Sequence, residues 1–117
     1  MKYVLLIYGN EQAVAQASPE TLQAMFNAYE PYTTAIRKAG ALVIAEALQP
    51  TAMATTIRGS AGNARVLDGP FAETKEQLAG LYIIDVADLD AAIQWARRCP
   101  AVEGGTVEIR PIMARPG

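Results

Sequence analysis

The chain has no histidine and a single cysteine, Cys99. Without an imidazole, the Ser-His-Asp and Cys-His forms of nucleophilic catalysis are excluded. A zinc site would have to combine carboxylates with one thiolate, an uncommon donor set, so no metal and no other cofactor is expected. A lone cysteine makes no internal disulfide, which fits a reducing cytoplasm. Basic charge is also short. Ten Lys and Arg against twelve Asp and Glu leave a net charge of −2 and a pI near 5.0, which offers no electrostatic ground for binding nucleic acid or an anionic membrane. No apolar run approaches the roughly 20 residues of a membrane-spanning helix. Lys2, the run Tyr3 to Tyr8, and Ala15-Gln16-Ala17 before Ser18 imitate the parts of a secretion signal. That run has six residues and is interrupted by Gly9-Asn10-Glu11, against about 7–15 in an ordinary signal, so a signal peptide is not expected.

What is present suits one small domain spanning residues 1–117. A hydrophobic fraction of 51% with 19% charged residues is the composition of a globular core with a solvated surface. So short a chain exposes much of its surface, and association with a second copy would add stability.

Tyr3 to Tyr8 is continuously apolar rather than alternating, which predicts a strand buried on both faces. Ser18-Pro19-Glu20 reads as N-cap, first-turn proline and first-turn acid. Leu22, Met25, Phe26, Tyr29 and Ile36 then form one helical stripe, and Gly40 ends it. Pro31 lies inside that helix and cannot donate to the carbonyl of Asn27, which predicts a kink or two shorter helices near Glu30. Ala41 to Leu48 is the second strand. Thr55 to Arg58 and Ala64 to Leu67 flank a glycine-rich turn and read as a hairpin. Leu78 to Val86 is a further strand. Asp88 caps a second helix with Leu89, Ala92, Ile93 and Ala96 inward, and Arg97-Arg98 suit its C-terminus. Thr106 to Ile112 is the last strand, and Met113 to Gly117 a short tail.

Setting the hairpin aside leaves βαββαβ, a ferredoxin-like α+β order with both helices on one face of an antiparallel sheet. Val4, Leu6 and Tyr8 oppose Tyr3, Leu5 and Ile7, and Tyr82 and Ile84 oppose Leu81 and Ile83. Two helices cover one of these faces. The other is expected to meet its counterpart in a homodimer, unless the hairpin folds across it within one chain.

The segment Asp68-Gly69-Pro70-Phe71-Ala72-Glu73-Thr74-Lys75-Glu76-Gln77-Leu78 resembles the signature of YCII-related proteins of the DGPF type. The opening Lys2 to Tyr8 and the closing Gly104 to Pro111 are similar too, so the resemblance covers essentially the whole chain. It implies a dimeric α+β barrel in a largely uncharacterised family. Such proteins are often encoded beside extracytoplasmic-function sigma factors, so it also implies, as the alternative, a non-enzymatic regulatory module with a sigma-factor-related partner. Shorter YCII relatives carry a His-Asp pair in a cleft. Its histidine would fall where this chain has Glu30-Pro31-Tyr32, and its aspartate where it has Cys99-Pro100. Both positions depart from the pattern, so that dyad is not carried over.

With this resemblance the leading expectation is a YCII-type homodimer whose barrel cleft binds a small polar metabolite, with catalysis left open. Asp68, Glu73 and Lys75 would line a barrel-rim cleft, where an Asp-Lys pair can shuttle a proton if burial shifts both groups. The same segment also has a purely structural reading, in which Asp, Gly and Pro shape a turn and Phe71 plugs the core. Glu46 is placed by strand parity with Leu42, Ile44 and Leu48, and a carboxylate on an apolar face needs a partner. Tyr8, Tyr32 and Tyr82 can donate into a cavity or simply pack. Arg58, Arg65 and Arg110 can hold an anion or solubilise strand edges. Cys99 reads as structural, and Trp95 as core or interface.

Overall fold

A computed structural model describes residues 1–116; Gly117, the end of the expected tail, lies outside them. In chain order the described residues form β1 (Lys2–Gly9), α1 (Glu11–Gln16), α2 (Pro19–Lys38), β2 (Leu42–Ala47), β3 (Thr55–Arg58), β4 (Arg65–Asp68), β5 (Gln77–Asp85), α3 (Leu89–Arg97) and β6 (Thr106–Pro111). Four strands pair antiparallel in the order β2-β5-β1-β6, while β3 and β4 make a separate two-stranded ribbon. This α+β arrangement is consistent with the ferredoxin-like fold.

Local chemistry sets the helix ends. The Ser18 hydroxyl accepts from the Thr21 amide at 3.1 Å to open α2, and Asp88 does the same for Ala91 at 2.9 Å in α3. The Asn10 side chain accepts from the amides of Gln12 and Ala13 and starts α1, a helix not expected from the sequence. Of the kink or two shorter helices expected near Glu30, the second alternative is not found: α2 runs through Pro31 as one element. Asn27 and Pro31 are both exposed, so water can take the carbonyl that proline leaves unbonded, while Tyr32 and Ile36 pin the buried side of the turn.

The core lies between the sheet and the helices. Tyr3, Leu5 and Ile7 of β1 and Tyr82 and Ile84 of β5 are buried there against Tyr32 and Ile36 of α2, Ala92 and Ala96 of α3, and Cys99. Their neighbours Val4, Leu6, Leu81 and Ile83 point to the other face and are half-buried in the single chain. Burial of both faces of β1, as the sequence predicts, is thus complete on the helix side alone. Two helical stripes are also narrower than expected: Phe26 is 68% exposed, and Met25 and Leu89 are exposed as well, because the N-terminal half of α2 and the first residue of α3 extend past the core.

The molecule is flat, with principal extents of 50 × 46 × 19 Å and a radius of gyration of 16.3 Å. A compact chain of this length would have a radius near ~13 Å. Its accessible surface is 8527 Å², against roughly 6,200 Å² for a folded monomer of this mass. A depth of 19 Å holds one helix layer on one sheet; a ribbon lying over the open face would add about 10 Å.

Candidate functional site

Two segments converge where β1 ends. Asn10, Glu11 and Gln12 follow the strand, Thr74, Lys75 and Gln77 lead into β5, and together they line a polar cavity of about 470 Å³. Gln77 ties the two sides. Its amide oxygen accepts from the Glu11 backbone N–H at 3.0 Å and its amide nitrogen donates to the Thr74 carbonyl at 2.7 Å. Both oxygens of the Glu11 carboxylate are engaged by Thr51, one by the backbone N–H and one by the hydroxyl, each at 2.7 Å. The corner is therefore braced on the turn Thr51–Met53 that leads out to the ribbon.

Lys75 lies in neither of the two ion pairs formed among the described residues, Met1 with Asp85 and Glu108 with Arg110. Its ammonium is free to meet an anionic group entering the cavity. Gln77 uses both ends of its amide internally and Asn10 uses its Oδ1, so these atoms shape the corner.

Next to this corner, Tyr8 pairs with Thr106, whose hydroxyl donates to the Glu76 carboxylate at 2.7 Å. Tyr8 shares the open face with Glu108 and Arg110, which form an ion pair of 2.6 Å. Partial burial and then the negative charge of Glu108 push the Tyr8 phenol above its ordinary value of 10. The Arg110 guanidinium, hydrogen-bonded to Glu108, holds that carboxyl below its usual range. Both partners of this pair are solvent-exposed, so it orients charge and adds little stability.

On the helix side sits an aromatic cluster. The Tyr32 hydroxyl donates to the Trp95 carbonyl at 2.8 Å, and the hydroxyls of Thr33 and Tyr82 share a hydrogen bond of 2.6 Å. The rings of Tyr32 and Tyr82 meet edge-on at 5.3 Å, and Trp95 meets Tyr32 at 6.5 Å. Cys99 lies against the phenols of Tyr29 and Tyr32, and burial raises all three groups above their ordinary values. Tyr32 and Cys99, the positions compared above with the family's dyad, do come together in space. Here they form a closed, neutral core.

Of the residues singled out in the sequence, Lys75 lines the cavity, while Tyr8 lies on the open face and is not among its lining residues. Tyr82, 5% exposed, faces the helices instead. Glu46 is exposed on β2, opposite Leu81 on the open face. A bulge between Leu42 and Ile44 turns Leu42 to the helix side, so the parity that grouped Leu42 with Glu46 does not hold. Asp68 and Glu73 are exposed and line no part of the cavity. Phe71, expected in the core, is 73% exposed with the Arg58 guanidinium over its ring at 5.5 Å. Glu11, Thr51, Thr74 and Gln77 were not anticipated. The legible signal was Asn10-Glu11, a cap followed by a first-turn acid.

Among the described residues no charged side chain is buried. The structure thus supplies no desolvated acid–base pair, and the corner is suited to binding by hydrogen bonds and one cation. No helix of the described residues is long and apolar enough to cross a membrane.

Comparison with known proteins adds two findings. The family described as the YCII-related domain matches residues 1–115. An uncharacterised protein of Rhizobium meliloti (strain 1021) is 39% identical over 120 aligned positions, covering 100% of this chain and 97% of the relative.

Proposed function

The chain belongs to the YCII-related family, and on that premise we propose a cytoplasmic, single-domain homodimer of the DGPF type that binds a small polar metabolite at the corner beside β1. The observation that carries the binding reading is the polar cavity of about 470 Å³, walled on one side by the signature segment at Thr74, Lys75 and Gln77. Its size is within the range of small-molecule sites. Lys75 holds an anionic group of the ligand.

The homodimer is supported by the open face. Val4, Leu6, Ile44, Leu81 and Ile83 form a contiguous apolar patch through their register across β1, β5 and β2. The surface exceeds that of a typical monomer by roughly 2,300 Å², comparable to what each subunit of an obligate dimer covers. A two-fold axis that stacks the open faces would give the dimeric α+β barrel, with β3 and β4 as an insertion in the βαββαβ order.

The test is a thermal-shift screen of the wild type and Lys75→Ala against small organic acids and amides. We expect at least one compound to raise the melting temperature of the wild type, with the response to it reduced about tenfold in apparent affinity by Lys75→Ala. Lys75 is exposed, so its loss should leave stability within about 0.5 kcal/mol. No wild-type response across the screen would reject the metabolite reading; a sigma-factor-related protein captured by the same preparation would favour the regulatory alternative.

A further inference from the structure

The ribbon of β3 and β4 is not self-sufficient in its own chain. An isolated two-stranded hairpin is marginal in water. Ile57 and Val66 are directly paired on one of its faces, yet they stay 66% and 67% exposed. On the other face Arg58 pairs directly with Arg65, a like-charge juxtaposition that weakens a free ribbon. Its root, by contrast, is well fixed. The Gly69 amide donates to the Ala54 carbonyl at 2.8 Å, the Thr56 hydroxyl to the Gly69 carbonyl at 2.7 Å, and Thr51 holds Glu11. The ribbon is an arm with a fixed root and a face on which Ile57 and Val66, flanked by Thr55 and Asp68, have nothing of their own chain against them.

Area points to what covers it. The open sheet face projects to roughly 400 Å², from four strands at their usual spacing and length. Side-chain relief enlarges that figure, but not to the roughly 2,300 Å² by which this surface exceeds a typical monomer. A dimer joined by the sheets alone would leave most of the excess in water.

We propose that the β3–β4 ribbon is a clasp that lays its Ile57–Val66 face on a second copy of this chain, each copy giving one arm and receiving one. The inference rests on the homodimer reading above and adds to it where the second contact lies. Arg58 and Arg65 then face outward from the clasp, where solvent screens their repulsion.

The test compares wild type with the double variant Ile57→Ser, Val66→Ser by sedimentation equilibrium, with circular dichroism to follow the fold. Two arms per dimer place four apolar side chains in the contact, so the dissociation constant should rise by about 100-fold or more. A dimeric wild type with a variant within about threefold of it would overturn the clasp and leave the homodimer standing. A monomeric wild type would overturn the homodimer itself. If the variant does not fold, hydrogen exchange on the wild type decides. Amides of 55–58 and 65–68 should be protected above the dissociation constant and unprotected below it; protection independent of concentration would overturn the clasp.

Discussion

Replacing Leu6 by Asp distinguishes a covered open face from a solvated one. Leu6 sits at the centre of that face, its Cα paired with Leu81 on one side and Glu108 on the other. In a lone chain the new carboxylate reaches water, and the cost is the lost partial burial of Leu6, about 1 kcal/mol. Under a second sheet it is an uncompensated charge in an apolar contact, which costs about 3–5 kcal/mol. The nearby Glu108 carboxylate adds repulsion. Two-fold symmetry brings two copies of the substitution to one interface, so the dimer loses roughly 6–10 kcal/mol, or about 10⁴–10⁷-fold in dissociation constant. Sedimentation velocity should therefore find Leu6→Asp monomeric at concentrations where the wild type is dimeric, with a melting transition still present. A variant as dimeric as the wild type would refute the assignment of this face to the interface.

Two further outcomes probe the core. A Cβ on Gly80 would lie 2.8 Å from the Glu46 carbonyl oxygen and 3.5 Å from the Ala47 Cα, so Gly80→Ala must push β2 from β5 at a cost of about 1–3 kcal/mol; an unchanged melting temperature would contradict that close approach. Cys99, Tyr29 and Tyr32 have folded values raised by burial, so the folded state keeps protons that the unfolded chain releases at about 8.5 for the thiol and about 10 for the phenols. Stability should be whole at pH 7–8 and fall from about pH 9 upward, and Cys99→Ala should delay the fall to about pH 10. A melting temperature level to pH 10.5 in the wild type would reject the sealed cluster.

Both tests touch features of unequal legibility in the sequence. The apolar run of β1, the Ser18-Pro19 and Asp88 helix starts, and the glycine turn between β3 and β4 were all readable, since each signal is carried by near neighbours. Cys99 against Tyr32 joins residues far apart along the chain, and no local pattern announces it. Phe71 misled because an aromatic beside Gly-Pro fits a core plug as well as a surface stack on Arg58.

By itself, then, the sequence determined every element but α1, their order, and the presence of more apolar strand surface than two helices can shelter, because side-chain period and capping are properties of adjacent residues. Tertiary structure alone decided that a bulge parts Leu42 from Glu46, that Glu11 reaches Thr51, and that Gln77 closes the corner beside Lys75. Those outcomes depend on the register of paired strands and the direction of the segments leaving them, and register is settled by packing across the whole sheet.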